Sequence, residues 1–245
     1  MNFASVSAIV LAGGKGTRMG TRVPKVLRKI EGTYLVQYIL STLDSLKLAE
    51  IIVVLGHRAA YIQEKLGTSY NYAVQEQPMG TGHALQVGVS QLKQKTHTII
   101  VINGDDSSLL KATTIQEILK QHERSAKKVT IVTSIQEKMK NLYKVEKDGE
   151  GNFLGFEKDE SDQKKEIATG IYVFDRIWLQ TYIHLLEVAA SGEINIHHLL
   201  HFAKLDGGIH CFQLLDSDEW RSSNTPSELA SVRRMMKKKS RRTEY

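Results

Sequence analysis

The sequence predicts an α/β fold in which a mostly parallel sheet is covered by helices on both faces. Two observations carry this prediction: short β-branched runs alternate with helical patterns, and the runs are apolar at nearly every position. A strand that is apolar throughout is buried on both faces, as in parallel sheets. The chain has 245 residues, 41% hydrophobic and 24% charged, which suits a globular protein with a substantial core.

The elements follow one another in a regular order. The apolar run 6–11 predicts a strand that ends in a glycine-rich loop. The pattern then predicts, in order, helix 33–46, strand 51–55, helix 59–66, strand 70–74, helix 81–92, strand 98–102, helix 113–122 and strand 129–134. Charged, glycine-containing segments within 135–170 predict a small β-rich lobe. Beyond it we expect strand 171–174, helices 176–190 and 194–204, strand 209–214 and a helix from Pro226.

The net charge of +6 is concentrated at the end of the chain. Residues 233–245 contain seven basic residues and one acidic residue, so they account for the whole excess. We therefore expect a domain over 1–232 without a field that favours polyanions, followed by a basic tail over 233–245. The tail is either a solvated helix end or a contact for an acidic partner such as RNA or a membrane surface. Deleting 233–245 should abolish any such salt-sensitive binding.

The single cysteine, Cys211, excludes an internal disulfide and a cysteine-ligated zinc site. It lies in a predicted strand, where a buried small apolar side chain is the expected role. The uncharged stretch 1–14 is short and contains Ser and Gly, so it fits neither a signal peptide nor a membrane span. These features favour a cytoplasmic location.

The loop after the first predicted strand has the composition of a phosphate site. It reads Leu11-Ala12-Gly13-Gly14-Lys15-Gly16-Thr17-Arg18-Met19, and Pro24-Lys25 follows. Its glycines allow backbone N–H groups to approach phosphates, and Arg18 and Lys25 supply positive charge. The loop lacks the P-loop spacing, and Met19 stands where the dinucleotide-binding fingerprint needs Gly or Ala. A simple turn is the alternative interpretation.

A second loop, 75–84, precedes a predicted helix and contains Gln75, Gly80 and Thr81. The Gln75 amide offers a donor and an acceptor, which suits the edge of a pyrimidine, and the helix N-terminus could approach a base or ribose. Thr81 as a simple helix cap is the alternative.

A third loop reads Asn103-Gly104-Asp105-Asp106 and follows a buried strand. Carboxylates at the carboxyl end of a strand, facing a phosphate loop, are suitable oxygen ligands for Mg²⁺. The alternative is an Asn-Gly turn with solvated acids.

Together these motifs resemble the nucleotidyltransferases that make sugar nucleotides. The resemblance is closest to the uridylyltransferase half of the bacterial bifunctional N-acetylglucosamine-1-phosphate uridylyltransferases, and it runs over about 5–232. Its strongest motifs are Leu-Ala-Gly-Gly-x-Gly-Thr-Arg-Met with Pro-Lys downstream, and Gly-Thr-Gly-His-Ala at 80–84. Weaker matches are Gly104-Asp105, Thr169-Gly170-Ile171 and Ser223-Asn224-Thr225-Pro226.

The resemblance implies a Rossmann-like, GT-A-like fold and Mg²⁺-dependent transfer of a nucleotidyl group from UTP to a sugar-1-phosphate. Arg18, Lys25 and Asp105 would be catalytic, and Asp105 and Asn224 would hold Mg²⁺. The implied substrate-binding residues are Leu11, Ala12, Gly13, Gly14, Gln75, Gly80, Thr81, Glu157 and Thr169. Without the resemblance, Asn224 would be interpreted as a helix cap before Pro226.

The chain departs from its relatives mainly on the sugar side. Ala168 replaces an asparagine, Lys144 ends a segment that is Gly-Tyr-Gly in the relatives, and Asp106 replaces a small or apolar residue. The hexapeptide repeats of a β-helix are absent from the sequence, so acetyltransferase activity is not expected. A transferase for another nucleoside triphosphate or acceptor, a non-catalytic sugar-nucleotide sensor and a polyanion-binding module remain alternatives.

Three histidines, His197, His198 and His201, lie on one predicted helix. Their order does not match the zinc-protease motif, because His198 stands where that motif has glutamate. Surface or cleft positions are therefore expected for them rather than a metal site.

Overall fold

The computed structural model describes residues 3–14, 23–137, 142–161 and 163–243. Its strands are β1 (Val6–Leu11), β2 (Lys29–Ile30), β3 (Thr33–Tyr34), β4 (Glu50–Leu55), β5 (Asn71–Val74), β6 (Thr98–Asn103), β7 (Val129–Gln136), β8 (Leu142–Lys147), β9 (Phe153–Asp159), β10 (Lys165–Asp175) and β11 (Ile209–Gln213). Its α-helices are α1 (Leu35–Ser45), α2 (Ala59–Leu66), α3 (Thr81–Ser90), α4 (Ala112–Ser125), α5 (Arg176–Tyr182), α6 (His198–Leu205) and α7 (Pro226–Thr243).

The central sheet has the strand order β11-β7-β10-β6-β1-β4-β5. All neighbouring pairs are parallel except those of β10, which runs antiparallel to both β6 and β7. β8 pairs with β9 and also contacts β10, which attaches this β-rich segment to the main sheet. The mostly parallel α/β fold predicted from the sequence is therefore confirmed.

Helices cover both faces of the sheet. On one face, apolar side chains of α1, α2 and α4 pack on alternate residues of β1, β4 and β6. On the other face, α3, α5 and α6 pack on the intervening residues of the same strands. Every residue of β6 except Asn103 is buried, which explains why its sequence is apolar throughout.

The two helices expected over 176–190 and 194–204 are shorter than predicted. α5 ends at Tyr182, and α6 begins only at His198. Between them, the Ile194 N–H donates to Met79 O, and the Gly82 N–H donates to Ile194 O. These bonds join the segment to the start of α3, so tertiary pairing prevails over the helical pattern of its apolar residues.

α7 begins at a capping box rather than at Asn224. The Thr225 N–H donates to Glu228 Oε2 at 2.8 Å, and Thr225 Oγ1 accepts from the Glu228 N–H at 3.3 Å. Leu229 and Val232 then pack in a small cluster with residues of β2, α1 and the loop before α4. None of the helices in the described ranges has the length and apolar composition that crossing a membrane requires.

Candidate active site

A cleft of about 600 Å³ opens at the carboxyl edge of the sheet. It lies where the chain leaves β1, β5 and β6, the strand ends at which open α/β sheets bind ligands. Its lining residues are Leu11, Ala12, Gly13, Gly14, Lys25, Val26, Gln75, Pro78, Gly80, Thr81, Ala84, Asn103, Asp105, Asp106, Glu193, Asn195 and Asn224. Loops that are far apart in the sequence therefore share one concave surface.

The first part of the glycine-rich loop is held against the end of β4. The Ala12 N–H donates to Val54 O at 2.8 Å, and a Cβ on Gly56 would lie 2.6 Å from Gly13 O. A side chain would thus disturb this backbone contact, whereas a Cβ on Gly14 would meet nothing within 4 Å. Gly14 consequently presents open backbone to the cleft. Arg18, predicted to be catalytic, lies outside the described residues.

Lys25 lies at the centre of the polar side of the cleft. Pro24 precedes it and fixes the backbone before a short 3₁₀ turn over Lys25–Leu27, in which all three residues are buried. The Lys25 Nζ lies 2.6 Å from Asp105 Oδ2, 2.7 Å from Asn224 Oδ1 and 3.2 Å from Asp106 Oδ1. The three N–H bonds of the ammonium group therefore have three oxygen partners.

Asp106 is less exposed than Asp105, the other carboxylate that contacts Lys25. Its Oδ1 accepts from the Ser223 N–H at 3.0 Å, and the Ser223 hydroxyl donates to Asp105 O at 2.6 Å. Burial and the neighbouring Asp105 raise the pKa of Asp106 to about 6, against the opposing effects of Lys25 and the Ser223 N–H. Ser223 thus fixes the two acidic residues relative to the segment that carries Asn224.

The residues predicted to hold Mg²⁺ converge in space. Asp105 Oδ2 and Asn224 Oδ1 both contact the Lys25 Nζ, although Asn224 is far away in the sequence. A carboxylate and an amide carbonyl are hard oxygen donors of the type that Mg²⁺ takes, with its other positions left to water or phosphate. No group of three or more His, Cys, Asp or Glu side chains suited to a metal is found among the described residues.

The opposite side of the cleft is built around Gln75. This side chain is buried, and its Nε2 donates to Gly80 O at 3.1 Å and contacts His83 Nδ1 at 3.0 Å. Its Oε1 lies toward Gly13, where an added Cβ would be 3.4 Å away. With Nε2 used inside the protein, Gln75 presents an acceptor to a ligand.

The start of α3 faces the cleft without a side-chain cap. Gly80 occupies the N-cap position with a φ of 95°, and the Thr81 hydroxyl accepts from the Ile196 N–H at 3.3 Å. Thr81 therefore does not act as the cap that one interpretation of the sequence suggested. The first turn of the helix is an attractive position for a polar or anionic ligand group.

Two predicted substrate-binding residues are not among those that line the cleft. Glu157 is exposed on β9 and pairs with Lys144 at 3.0 Å. Thr169 is buried, and its hydroxyl donates to Val132 O at 2.9 Å. Their proposed contacts with substrate stay predictions.

Family comparisons agree with this arrangement. A model described as the MobA-like NTP transferase domain matches residues 8–203. The chain belongs to this family. The bifunctional protein GlmU of an Exiguobacterium species is 36% identical over 210 residues, which are 82% of this chain and 46% of that protein. GlmU of Heliobacterium modesticaldum is 31% identical over 243 residues, which are 96% of this chain and 53% of that protein.

The transferase chain thus spans about half the length of the curated relatives it matches. Its fold is shared with solved structures of low sequence identity. HddC from Yersinia pseudotuberculosis superposes with a TM-score of 0.73 at 16% identity, covering 94% of this chain and 99% of that one. A candidate glucose-1-phosphate thymidylyltransferase from Bacillus anthracis gives a TM-score of 0.77 at 18% identity, covering 94% of each chain. The chain therefore carries an NTP transferase domain.

Several residues of this transferase site were not assigned a role from the sequence. His83 contacts the Gln75 amide, Asp106 pairs with Lys25, and Ser223 binds both acidic residues. Glu193 and Asn195 line the cleft. The Gly-Thr-Gly-His-Ala motif was the available signal for His83. Asn195 lies within the predicted helix 194–204, and Glu193 lies between the two helices predicted for this region.

The remaining sequence candidates lie outside the cleft lining. His197 Nε2 contacts the Tyr172 hydroxyl at 2.7 Å, and its ring lies 4.7 Å from that of Phe156. His198 and His201 are exposed. Cys211 is half-buried in β11, and burial raises the pKa of its thiol to about 11, as suits a small apolar residue.

Proposed function

We propose that this transferase moves a uridylyl group from UTP to a sugar-1-phosphate, with release of pyrophosphate. The expected acceptor is N-acetylglucosamine-1-phosphate. The observation that carries the proposal is the convergence of Lys25, Asp105 and Asn224 in a cleft that also contains the glycine loop and Gln75. Cationic, metal-binding and base-contacting groups are thereby available to one triphosphate.

The chemistry needs no nucleophile from the protein. An oxygen of the sugar phosphate attacks the α-phosphorus, a new P–O bond forms, and the bond between the α-phosphorus and the bridging oxygen breaks. Pyrophosphate departs with the electron pair. The protein's contributions are to bring two anions together and to stabilise the charge that develops on the leaving group.

Each residue has a part in that task. Lys25 would neutralise charge at the α-phosphate, and Arg18 would support the departing pyrophosphate. Asp105 and Asn224 would hold Mg²⁺, which when bound offsets the charge of the phosphates. Gly14 and the first turn of α3 would supply backbone N–H groups to phosphate or ribose.

The geometry at Gln75 favours an imide base. Its Nε2 is engaged by Gly80 O and His83, so Oε1 is the atom offered to the base. An acceptor matches the N3–H of uracil, whereas N3 of cytosine is itself an acceptor. Thymine also has an N3–H, so a deoxythymidine triphosphate is the second candidate. The fold likeness to a candidate thymidylyltransferase makes that comparison worth testing.

The acceptor is proposed from the GlmU relatives and has less support from the site itself. Ala168 packs against the apolar core and offers no side-chain hydrogen bond to a sugar. Lys144 pairs with Glu157, which was expected to face the sugar. Another phosphorylated sugar is therefore the main alternative on this side of the site.

The proposal is tested with the full chain in a matrix of substrates. UTP, deoxythymidine triphosphate, CTP, ATP and GTP are each combined with a panel of sugar-1-phosphates, and pyrophosphate release is measured. We expect the highest kcat/KM for UTP with N-acetylglucosamine-1-phosphate. Removal of divalent cations by EDTA should stop turnover, and added Mg²⁺ should restore it.

Three outcomes would contradict this assignment in different ways. A higher kcat/KM with deoxythymidine triphosphate would show that this nucleotide, and not UTP, is the substrate. A higher kcat/KM with another sugar phosphate would show that the acceptor is not N-acetylglucosamine-1-phosphate. Binding of UTP or a UDP-sugar without turnover against any acceptor would instead indicate a sugar-nucleotide sensor.

A further inference from the structure

The Lys25 ammonium group lies on the two oxygens that are proposed to hold the divalent cation. Its Nζ is 2.6 Å from Asp105 Oδ2 and 2.7 Å from Asn224 Oδ1, the shortest of its three contacts. The side chain is only 5% exposed, so this position is enclosed by protein. One positive charge thus already occupies the place in which a metal would be bound.

We propose that Lys25 holds the cation position of the nucleotide-free site and gives it up when a nucleoside triphosphate binds. The proposal rests on the proposed function for the identity of the metal ligands. It goes beyond that function because it makes Lys25 and the cation alternative occupants of the same oxygens.

The two occupants exclude each other for steric and electrostatic reasons. Mg²⁺ lies about 2.0–2.1 Å from its oxygen ligands, so a cation held by both Asp105 and Asn224 would lie beside the ammonium. Two positive charges at that range, one of them on a side chain that is almost fully buried, repel strongly. The cation therefore binds both oxygens only after Lys25 has moved away.

Asp106 gives Lys25 an anchor that the exchange leaves in place. Its Oδ1 lies 3.2 Å from the Nζ, and the Ser223 N–H holds the same oxygen at 3.0 Å. When Lys25 turns toward a phosphate, Asp106 remains a nearby counter-ion for the ammonium. Asp105 is then released to a divalent cation, so each carboxylate keeps a positive partner throughout.

The exchange couples cation binding to nucleotide binding. The triphosphate attracts the ammonium away from Asp105 and Asn224, and this opens the cation position. By linkage, the cation must then raise the affinity for nucleotide by the same factor. The empty site is correspondingly expected to bind divalent cations weakly.

The test measures Mn²⁺ binding to the nucleotide-free full chain by electron paramagnetic resonance. We expect Lys25→Met and Lys25→Gln to bind Mn²⁺ at least about tenfold more tightly than the unsubstituted protein, because the competing charge is gone. Lys25→Gln retains an amide donor for Asp105, so it serves if the methionine variant is unstable. Adding Asp105→Asn to either variant should remove the gained affinity and thereby locate the site.

Two control variants distinguish occupation of the cation position by residue 25 from a general effect of the protein's net charge. Lys25→Arg retains a cation and should bind Mn²⁺ within about twofold of the unsubstituted protein. Lys128 pairs with Asp175, and neither residue lines the cleft. Lys128→Met removes this charge and should leave Mn²⁺ affinity unchanged. Unchanged affinity in Lys25→Met and Lys25→Gln, or an equal gain in Lys25→Arg, would overturn the proposal. Because no substrate is present, this result is independent of whether UTP is the nucleotide.

Discussion

Single residues concentrate charge in a buried part of the cleft. Lys25 is 5% exposed, and Asp106 is 12% exposed, yet they form an ion pair. A buried ion pair does not by itself indicate added stability, because desolvation offsets much of its attraction. Such clusters are more typical of functional sites, where fixed charges must meet a charged substrate. The cluster around Lys25 is therefore expected to affect turnover more than folding.

Asp105→Asn tests this expectation. The amide retains the size of the side chain and an oxygen for Lys25, so the fold should persist, but the anionic group proposed to bind the metal is lost. We expect kcat to fall roughly 10²- to 10³-fold, comparable to the loss of one group that stabilises transition-state charge. Steady-state pyrophosphate release measures the effect. Asp44→Asn, in an exposed residue that contacts Tyr70, should keep full turnover, and near-normal turnover in Asp105→Asn would refute its role.

His122 makes stability depend on pH. It lies buried between α4 and β7, its Nδ1 contacts Thr130 Oγ1 at 2.8 Å, and burial lowers its pKa to about 4. Below pH 6.5, the ordinary pKa of histidine, His122 is protonated in the unfolded chain. In the folded chain His122 stays neutral down to about pH 4. The stability contribution of neutral His122 is therefore complete above pH 6.5 and is lost as the pH falls toward 4.

Urea unfolding of the protein and of His122→Asn measures this dependence. Asparagine still offers a polar group to Thr130 but does not titrate. Between pH 7 and pH 5 we expect the unsubstituted protein to lose about 2 kcal/mol more unfolding free energy than the variant. Parallel pH profiles for the two proteins would show that His122 does not titrate in this way.

At the level of elements, local sequence patterns predicted the sheet better than the segment between α5 and α6, part of which lines the cleft. The bounds predicted for the helix 59–66 are those observed for α2, since its pattern and its packing agree. The segment between α5 and α6 also has helical apolar spacing, but Ile194 pairs with Met79 and Gly82. That pairing joins residues more than 100 positions apart, so no local pattern could indicate it.

Gly80 lies where the segment between α5 and α6 packs against the start of α3. A Cβ at Gly80 would lie 2.5 Å from Ile194 O, and the residue has a φ of 95°. Gly80→Ala should displace the segment from the helix, lower the melting temperature and weaken UTP binding at least about tenfold through loss of the preformed cleft. Thermal unfolding and UTP titration measure the two effects.

Gly32→Ala is the matched control for backbone strain. Gly32 lies in the turn between β2 and β3 with a φ of 83°, and a Cβ there would meet nothing within 4 Å. Gly32→Ala should lose only about 1 kcal/mol of unfolding free energy, because alanine is strained in a left-handed backbone conformation. It should keep its UTP affinity. Equal losses of UTP affinity in the two variants would exclude the contact with Ile194 as the cause.

Across the whole molecule, the site depends on contacts between distant parts of the chain. The glycine loop and Asp105 were predictable because both follow buried strands, whose carboxyl ends meet at one edge of the sheet. Asn224 became a candidate only through the family resemblance, and its contact with Lys25 spans 199 positions in sequence. The roles of Asp106, Ser223 and His83 depend on side-chain contacts that neither periodicity nor composition describes.

The positive charge of the molecule is unevenly distributed along the chain. The body of the chain carries balanced charge, and the excess lies in 233–245, where α7 continues to Thr243. Met235 and Met236 pack against the cluster formed by Ile30, Leu35 and Leu229, so a chain cut after Met236 keeps these contacts. That truncation removes five basic residues and one acidic residue.

We expect the truncated protein to keep its melting temperature within a few degrees and to retain pyrophosphate release, because the cleft is untouched. It should elute from a heparin column at clearly lower salt than the full chain, since basic residues attract polyanions through a field that salt screens. A second truncation after Val232 also removes both methionines and should lower the melting temperature further. Identical elution of the full and truncated chains would show that the tail does not confer polyanion binding.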